Sequence, residues 1–402
     1  MSAVLGPDHN LQMPLRRLPN AKVLWVAPEM RDPRRWLIGQ PSSGRESLEE
    51  AVLSTCAFAI NAGSGGVSSS GPMGIVDRYG GAGLAYNGGS GRSAFVNGFY
   101  VKGVGRTPLI GEQTDPTHSS GGAYLAECLK ETLWSCILRK HFPYGAVPVL
   151  AILDTGEIQR WADHDGPDRE TRCLLIRPAF LRPAHFERAP LFTGVSVVDG
   201  ARDARRVEHH FQSARNAMPL VSWLNQLERW SARLATQLGF AFAHRVLVGG
   251  ITTSNVDMHG RFADFGGFAT VPNWGQFEPS VGDTPFGLEM SDLSNALRSL
   301  FIHHVANGFE REPMEEAFER MALVAARAYE SAKVIELIGL RGVDQMRARA
   351  APTESWRPGL APGALNKRFQ LEVDAPYMAG AMRPHEVGQR LDAEIASAWS
   401  GS

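Results

Sequence analysis

Two hard oxygen ligands a short interval apart are the first sign of chemistry in this chain of 402 residues. Asn255 stands upstream of Asp264-Phe265-Gly266, and the residues between them are about right for a tight hairpin. Mg²⁺ takes oxygen donors, keeps several waters and leans on substrate phosphates, so one amide oxygen and one carboxylate suffice as the protein's share. Lys102 is the second candidate. Gly88-Gly89-Ser90-Gly91-Arg92 lies before it and Gly103-Val104-Gly105 after it. Glycines let backbone N–H groups approach phosphate oxygens, and a lysine adds a point charge. Glu131 is the third, on the helical stripe Tyr124, Cys128, Glu131, Ser135, where a carboxylate can hold Lys102 toward phosphate. Glu127, about one turn away, competes for that role.

These residues need elements to carry them. Phe95-Val96-Asn97-Gly98-Phe99-Tyr100 sets Asn-Gly between two β-prone runs, a strong hairpin signal. Alternation along the second strand puts Phe99 and Val101 on one face, Tyr100 and Lys102 on the other. Residues 122–139 read as a helix with the stripe Leu125, Leu129, Leu133, Cys136, Ile137. Further helices are expected over 46–61, 218–238, 290–306, 314–339 and 385–399. Strands are expected over 147–153, ending in a turn at Asp154-Thr155-Gly156, and over 170–176, 244–249 and 262–268. Residues 63–105 are dense in Gly and Ser but interleaved with Ile75, Val76, Tyr79, Phe95 and Val101, so they read as glycine-punctuated strands and not as a linker. The resulting layout is an irregular segment 1–45, a strand-containing part 46–155 and a mainly helical part 156–402.

The order lysine, helix glutamate, Asn and Asp-Phe-Gly is that of a kinase-type ATP site. The blocks also resemble those of the SelO family of protein AMP-transferases. Lys102-Gly103-Val104-Gly105-Arg106-Thr107-Pro108 is similar to that family's K-G-A-G-x-T-P segment. Tyr79-Gly80-Gly81, Gly89-Ser90-Gly91-Arg92 and Lys130-Glu131 resemble further blocks, and residues 249–266 align without a gap between Asn255 and Asp264. The resemblance spans roughly residues 75–270. It implies an α+β, bilobal protein-kinase-like fold with a glycine-rich, strand-containing N-lobe and a mainly helical C-lobe. It also implies transfer of AMP from ATP to a protein or peptide acceptor. On that reading Lys102 and Glu131 form the ion pair and Asp264 completes the catalytic set. Gly89, Gly91, Arg92, Lys102, Gly103, Arg177 and Arg182 contact ATP, and Asn255 and Asp264 hold Mg²⁺ or Mn²⁺.

One departure bears on the acceptor. The family has an Asp, its proposed general base, immediately before the metal-binding Asn; here that residue is Ser254. The position five before Asn255 is Gly250, leaving Asp257 as the nearby candidate. A base contributes about 10²–10⁴-fold to attack by a hydroxyl, whereas a carboxylate acceptor is already ionised and needs none. The chain is also similar to the MchC group of SelO-related proteins found with microcin-tailoring genes, which suggests activation of a peptide C-terminus as an acyl-adenylate. Phosphotransfer on the same scaffold and a catalytically weak nucleotide-binding module are the other readings.

The formal net charge of −1 gives no field for nucleic acid. No apolar run is long enough for a bilayer and no signal-peptide pattern opens the sequence, so a cytoplasmic setting is expected. Cys56, Cys128, Cys136 and Cys173 read as buried free thiols. Asp163, His164, Asp165 and Asp168 read as a solvated turn, and Arg205-Arg206 with Glu208-His209-His210 as a charged helix face. Trp223 and Trp230 read as helix packing. The sequence leaves the oligomeric state open.

Overall fold

The hairpin at Asn97-Gly98 is the local event around which the sheet is built. In the computed structural model both residues sit at positive φ, 47° and 85°, the geometry of the two-residue turn that matches strand twist. The structure describes residues 10–37, 47–60, 72–80, 88–111, 114–161, 169–189, 197–275, 277, 284–338 and 372–400. Its strands are β1 (Gln12–Arg17), β2 (Lys22–Val26), β3 (Phe58–Ile60), β4 (Met73–Val76), β5 (Ser93–Val96), β6 (Phe99–Lys102), β7 (Ala123–Tyr124), β8 (Ala151–Arg160), β9 (Arg169–Pro178), β10 (Val246–Leu247) and β11 (Ala269–Thr270). Its helices are α1 (Leu48–Cys56), the short α2 (Pro116–Ser119), α3 (Leu125–His141), α4 (Val197–Ala217), α5 (Leu220–Ala243), α6 (Glu289–Ala306), α7 (Arg311–Ile338) and α8 (Pro384–Ser400). The class is α+β.

Nine strands form one antiparallel sheet in the order β2-β8-β9-β6-β5-β4-β1-β3, with β7 also on β9. Directly paired residues share a face, and the two faces meet different cores. Ala94, Val96, Phe99, Val101, Leu174 and Ile176 pack with α1 and Trp36. On the opposite face Leu175, Ile152 and Cys173 meet Leu125, Leu129 and Leu133 of α3, while Phe95 and Tyr100 join the large helical core of α5, α6 and α7. Helix α3 is thus buried on two sides, because Trp134, Ile137 and Leu138 enter the helical core as well.

The alternation expected along β6 and the positions of α3, α5, α6, α7 and α8 match the sequence reading to within a few residues at each end. Three expectations are corrected. Residues 12–17 and 22–26, read as irregular, are strands of the sheet, β2 at one edge and β1 between β4 and the edge strand β3. Asp154-Thr155-Gly156 does not end its strand. Asp154 accepts the Gly156 amide at 2.8 Å, Gly156 takes φ of 77°, and pairing resumes at Ile158 with Thr171, so the feature is a bulge inside β8. A boundary at 155 therefore falls within a strand, and β9 belongs to the sheet. Residues 262–268 do not form a strand: Phe262 makes single bridges to Ala146 and Val256, and the small pairing is β10 with β11. Helix α8 falls in the part read as mainly helical, 156–402. It returns to β2 and α3, where Val387, Leu391 and Ile395 pack with Leu24 and Trp25, and Trp25 Nε1 donates to Asp392 at 2.8 Å.

The expected helix over 46–61 is shorter. Ser47 and Glu50 close a capping box at its start, and Ala57 leads into β3. All four cysteines are free and buried, and Trp223 and Trp230 lie in the helical core. Among the described residues no helix is long and apolar enough to cross a membrane.

Candidate active site

Lys102 is the last residue of β6, on the face it shares with Tyr100, and Tyr100 pairs directly with Arg177 of β9. That face looks onto α3, which presents Glu127 and Glu131 one turn apart. The result is an alternating row of charges: Arg92, Glu127, Lys102, Glu131, Arg177. Arg92 Nη2 and Nη1 donate to the two Glu127 oxygens at 2.7 and 3.0 Å. Lys102 Nζ lies 2.8 Å from Glu127 Oε1 and 2.9 Å from Glu131 Oε1. Arg177 closes the row on Glu131 Oε2. The expected Lys102–Glu131 pair is therefore present, and the competitor Glu127 holds Lys102 equally closely. The following Gly103 is required here. Its φ is 96°, and a Cβ would come within 2.4 Å of the Cys173 carbonyl oxygen, so the chain can leave β6 against β9 only without a side chain. Gly89 and Gly91, also at positive φ, form the turn before Arg92, and the Gly91 carbonyl accepts the Thr107 amide at 3.0 Å.

Asp264 interacts electrostatically with Lys102, Arg92 and Arg177 of this row. Burial alone would raise its carboxyl, but Lys102, the Gly266 amide, Arg92 and Arg177 hold it well below the usual carboxylate range. Glu127 is likewise pushed up by burial and pulled down to about 2 by Arg92 and Lys102. Burial opposes the Lys102 charge, yet Glu127, Glu131 and Asp264 keep the ammonium above its ordinary range. Asp264, Glu127 and Lys102 are therefore charged across the physiological range.

The segment between Asn255 and Asp264 folds back on itself. The Ala263 amide donates to the Asn255 carbonyl at 2.8 Å, which sets Asn255 beside the residue preceding Asp264. Asn255 Nδ2 donates to the Gly250 carbonyl at 3.1 Å, and its Oδ1 accepts the Ser254 hydroxyl at 3.3 Å, which leaves that oxygen one lone pair for a cation. Asp264 accepts the Gly266 amide on Oδ1 at 3.2 Å. An oriented amide oxygen and an ionised carboxylate form a hard donor set that fits Mg²⁺. Two contacts from neighbouring helices hold this segment: Asp292 of α6 accepts the Ile251 amide at 3.0 Å, and Lys130 of α3 donates to the Gly266 carbonyl at 2.7 Å.

Asp257, the nearby base candidate, is committed. Its Oδ1 accepts the amides of His259 and Arg261, each at 2.9 Å, and its Oδ2 accepts Arg261 Nε and Nη2 at 2.8 and 2.7 Å. Those four bonds fill the carboxylate's acceptor sites. Ser254 Oγ shares a 2.6 Å hydrogen bond with Thr252 Oγ1.

The two arginines expected to grip phosphates occupy different surroundings. Arg177 is buried on Glu131, donates to the Val147 carbonyl and lies 5.0 Å from the Phe265 ring centroid. Arg182 is enclosed by Tyr79, Tyr100 and Phe180, donates to the Ser254 carbonyl and to Tyr100 Oη at 3.1 Å, and faces Asp77. Its guanidinium feels the Asp264 charge as well.

Behind Arg182 lies a buried ionic layer that the sequence reading missed. The Arg182 amide donates to His185 Nδ1 at 2.8 Å, so Nε2 carries the proton and donates to Asp77 at 2.8 Å. Arg206 donates to Asp203 and to the carbonyls of His185 and Glu187, each at 2.8 Å, and Arg78 also faces Asp203. The expected charged face of α4 is thus half right. Arg205 and Glu208 are exposed, but Asp203, Arg206 and His210 turn inward, on the side of the apolar Val207 and Phe211. The acidic stretch 163–168 lies outside the described residues.

Compared with protein-family models and with curated proteins, the chain matches none at a significant level.

Proposed function

We propose that this protein is an ATP- and Mg²⁺-dependent, SelO-like nucleotidyltransferase that moves AMP from ATP to a protein or peptide acceptor on a bilobal, kinase-like scaffold. The observation that carries this reading is Lys102, held between Glu127 and Glu131 within the electrostatic field of Asp264. Fixed cations beside an ionised metal ligand are what phosphoryl chemistry requires, since its catalysis is mainly positioning and charge stabilisation. Asn255 and Asp264 would hold Mg²⁺, which neutralises the phosphates when bound. Arg92 and Lys102 would contact phosphate oxygens, with the backbone at Gly89, Gly91 and Gly103 closing around them. The acceptor oxygen attacks the α-phosphorus, the bond to the β-phosphate bridging oxygen breaks, and pyrophosphate leaves with that electron pair.

The saturated Asp257 carboxylate favours a specific acceptor class. With Ser254 where a base would stand, a hydroxyl acceptor has no strong proton acceptor at either position, whereas a peptide carboxylate enters already ionised. An acyl-adenylate product is the reading this supports.

Intact-mass analysis after incubation with ATP, Mg²⁺ and candidate peptides tests both statements, with Lys102→Ala and Asp264→Ala as controls. An AMP-sized gain that both controls lose supports the transferase reading. Release of that gain by hydroxylamine marks an acyl-adenylate, and stability to it marks a side-chain ester. A phosphate-sized gain would make the protein a kinase and sink the AMP reading.

A further inference from the structure

Glu127 differs from the rest of the charged row. Its side chain keeps 27% of its exposure, against 5% for Arg92, 7% for Lys102, 2% for Glu131 and 1% for Arg177. It stands between Arg92 and Lys102 as the most exposed member of the row, and its two oxygens receive three N–H donors at 2.7 to 3.0 Å. That is the arrangement in which guanidinium and ammonium groups hold a phosphate.

Both cations also have a second anchor. Lys102 is held by Glu131 at 2.9 Å, and Arg92 Nη1 donates to the Gly122 carbonyl at 2.8 Å. Removing the Glu127 charge would therefore leave Arg92 and Lys102 in place and take away an anion beside them. A residue needed only to position the two cations would not be duplicated in this way.

We propose that Glu127 is a built-in competitor for phosphate. Its carboxylate occupies Arg92 and Lys102 until a polyphosphate ligand displaces it toward solvent, where its partial exposure gives it room to turn. The inference rests on the ATP reading above only for the identity of the ligand; the competition itself concerns any polyphosphate.

The test is titration calorimetry of the full chain, wild type against Glu127→Gln, with three probes: Mg·ATP, adenosine and inorganic tripolyphosphate. Loss of one like charge next to the bound phosphates is expected to tighten Mg·ATP and tripolyphosphate by about tenfold, with adenosine unchanged. Glu127→Ala should act in the same direction, and Glu127→Asp, which keeps the charge, should stay within about twofold of wild type. Equal or weaker binding of both polyphosphates by the Gln and Ala variants would overturn the proposal. Tighter tripolyphosphate without any binding of ATP keeps the competitor and sinks the adenine-nucleotide reading. No binding of either polyphosphate by wild type or variants sinks both.

Discussion

Lys130 Nζ donates to the Gly266 carbonyl across 2.7 Å, so the helix that holds Lys102 also holds the turn carrying Asp264. Lys130 is adjacent to Glu131 but points to a different partner. One turn of α3 therefore sets the distance between the cationic row and the metal-ligand candidates. Lys130→Met should weaken the apparent Mg²⁺ affinity of ATP-dependent turnover by about fivefold, the worth of one partly exposed charge-assisted bond. A Mg²⁺ titration of the mass gain measures it. An unchanged Mg²⁺ requirement would remove Lys130 from the site.

Acid should destabilise the fold through this region. Glu127 is lowered from 4.5 to about 2 and Asp264 lies below its ordinary value too. A depressed carboxyl contributes stability above its unfolded pKa and loses it as pH falls through the folded one. Urea midpoints should therefore drop between about pH 4.5 and pH 2, and Glu127→Gln should show a shallower drop. Parallel curves for the two proteins would contradict the assignment.

Glu289 has the opposite sign. It lies buried at the start of α6, and burial, with Asp292 adding to it, raises its carboxyl to about 7 despite the Gly287 amide at 2.8 Å. Its contribution is full below the unfolded value of 4.5 and is lost as pH rises through about 7. Glu289→Gln should leave stability at pH 5 nearly unchanged and raise it at pH 8, read from denaturation midpoints at the two values. A gain as large at pH 5 as at pH 8 would point to packing instead of ionisation.

Asp203→Ala should cost about 3–5 kcal/mol, because it strands Arg206 and Arg78 in the interior. Asp203 also accepts the Ala189 amide at 3.1 Å, so the segment 183–189 loses its tether as well. Urea denaturation gives the number. A loss under about 1 kcal/mol would mean that water reaches the layer.

The hairpin and the faces of β6 were legible because each rests on a short-range rule, a turn dipeptide and a period of two; the Lys102–Glu131 pair, 29 positions apart, was legible only through the kinase-type order of lysine, helix glutamate, Asn and Asp-Phe-Gly. Arg92 with Glu127 was not, since partners 35 positions apart carry no local signature. Likewise, Arg206 and His210 look solvated in a chain segment rich in charge. Their burial follows from Asp203 three residues before Arg206 and from Val207 and Phe211 on the same side of the helix. The strands at 12–17 and 22–26 were hidden by their charge and by Pro14, which is accommodated because β4 pairs with residues 12–14 while β3 pairs only with residues 15–17. Asp154-Thr155-Gly156 carries turn chemistry that the sheet uses without turning.

The docking of α8 on β2 has a consequence for how the protein comes into being. Trp25 and Asp392, 367 positions apart, bond to each other, and Leu24 shares a core with Leu391. During synthesis the outer edge of the sheet must wait, its apolar surface uncovered, until residues 384–400 have left the ribosome. A chain stopped short of them carries every candidate site residue yet lacks the last cover of its first-made strands, which makes it a natural client for chaperones and proteases.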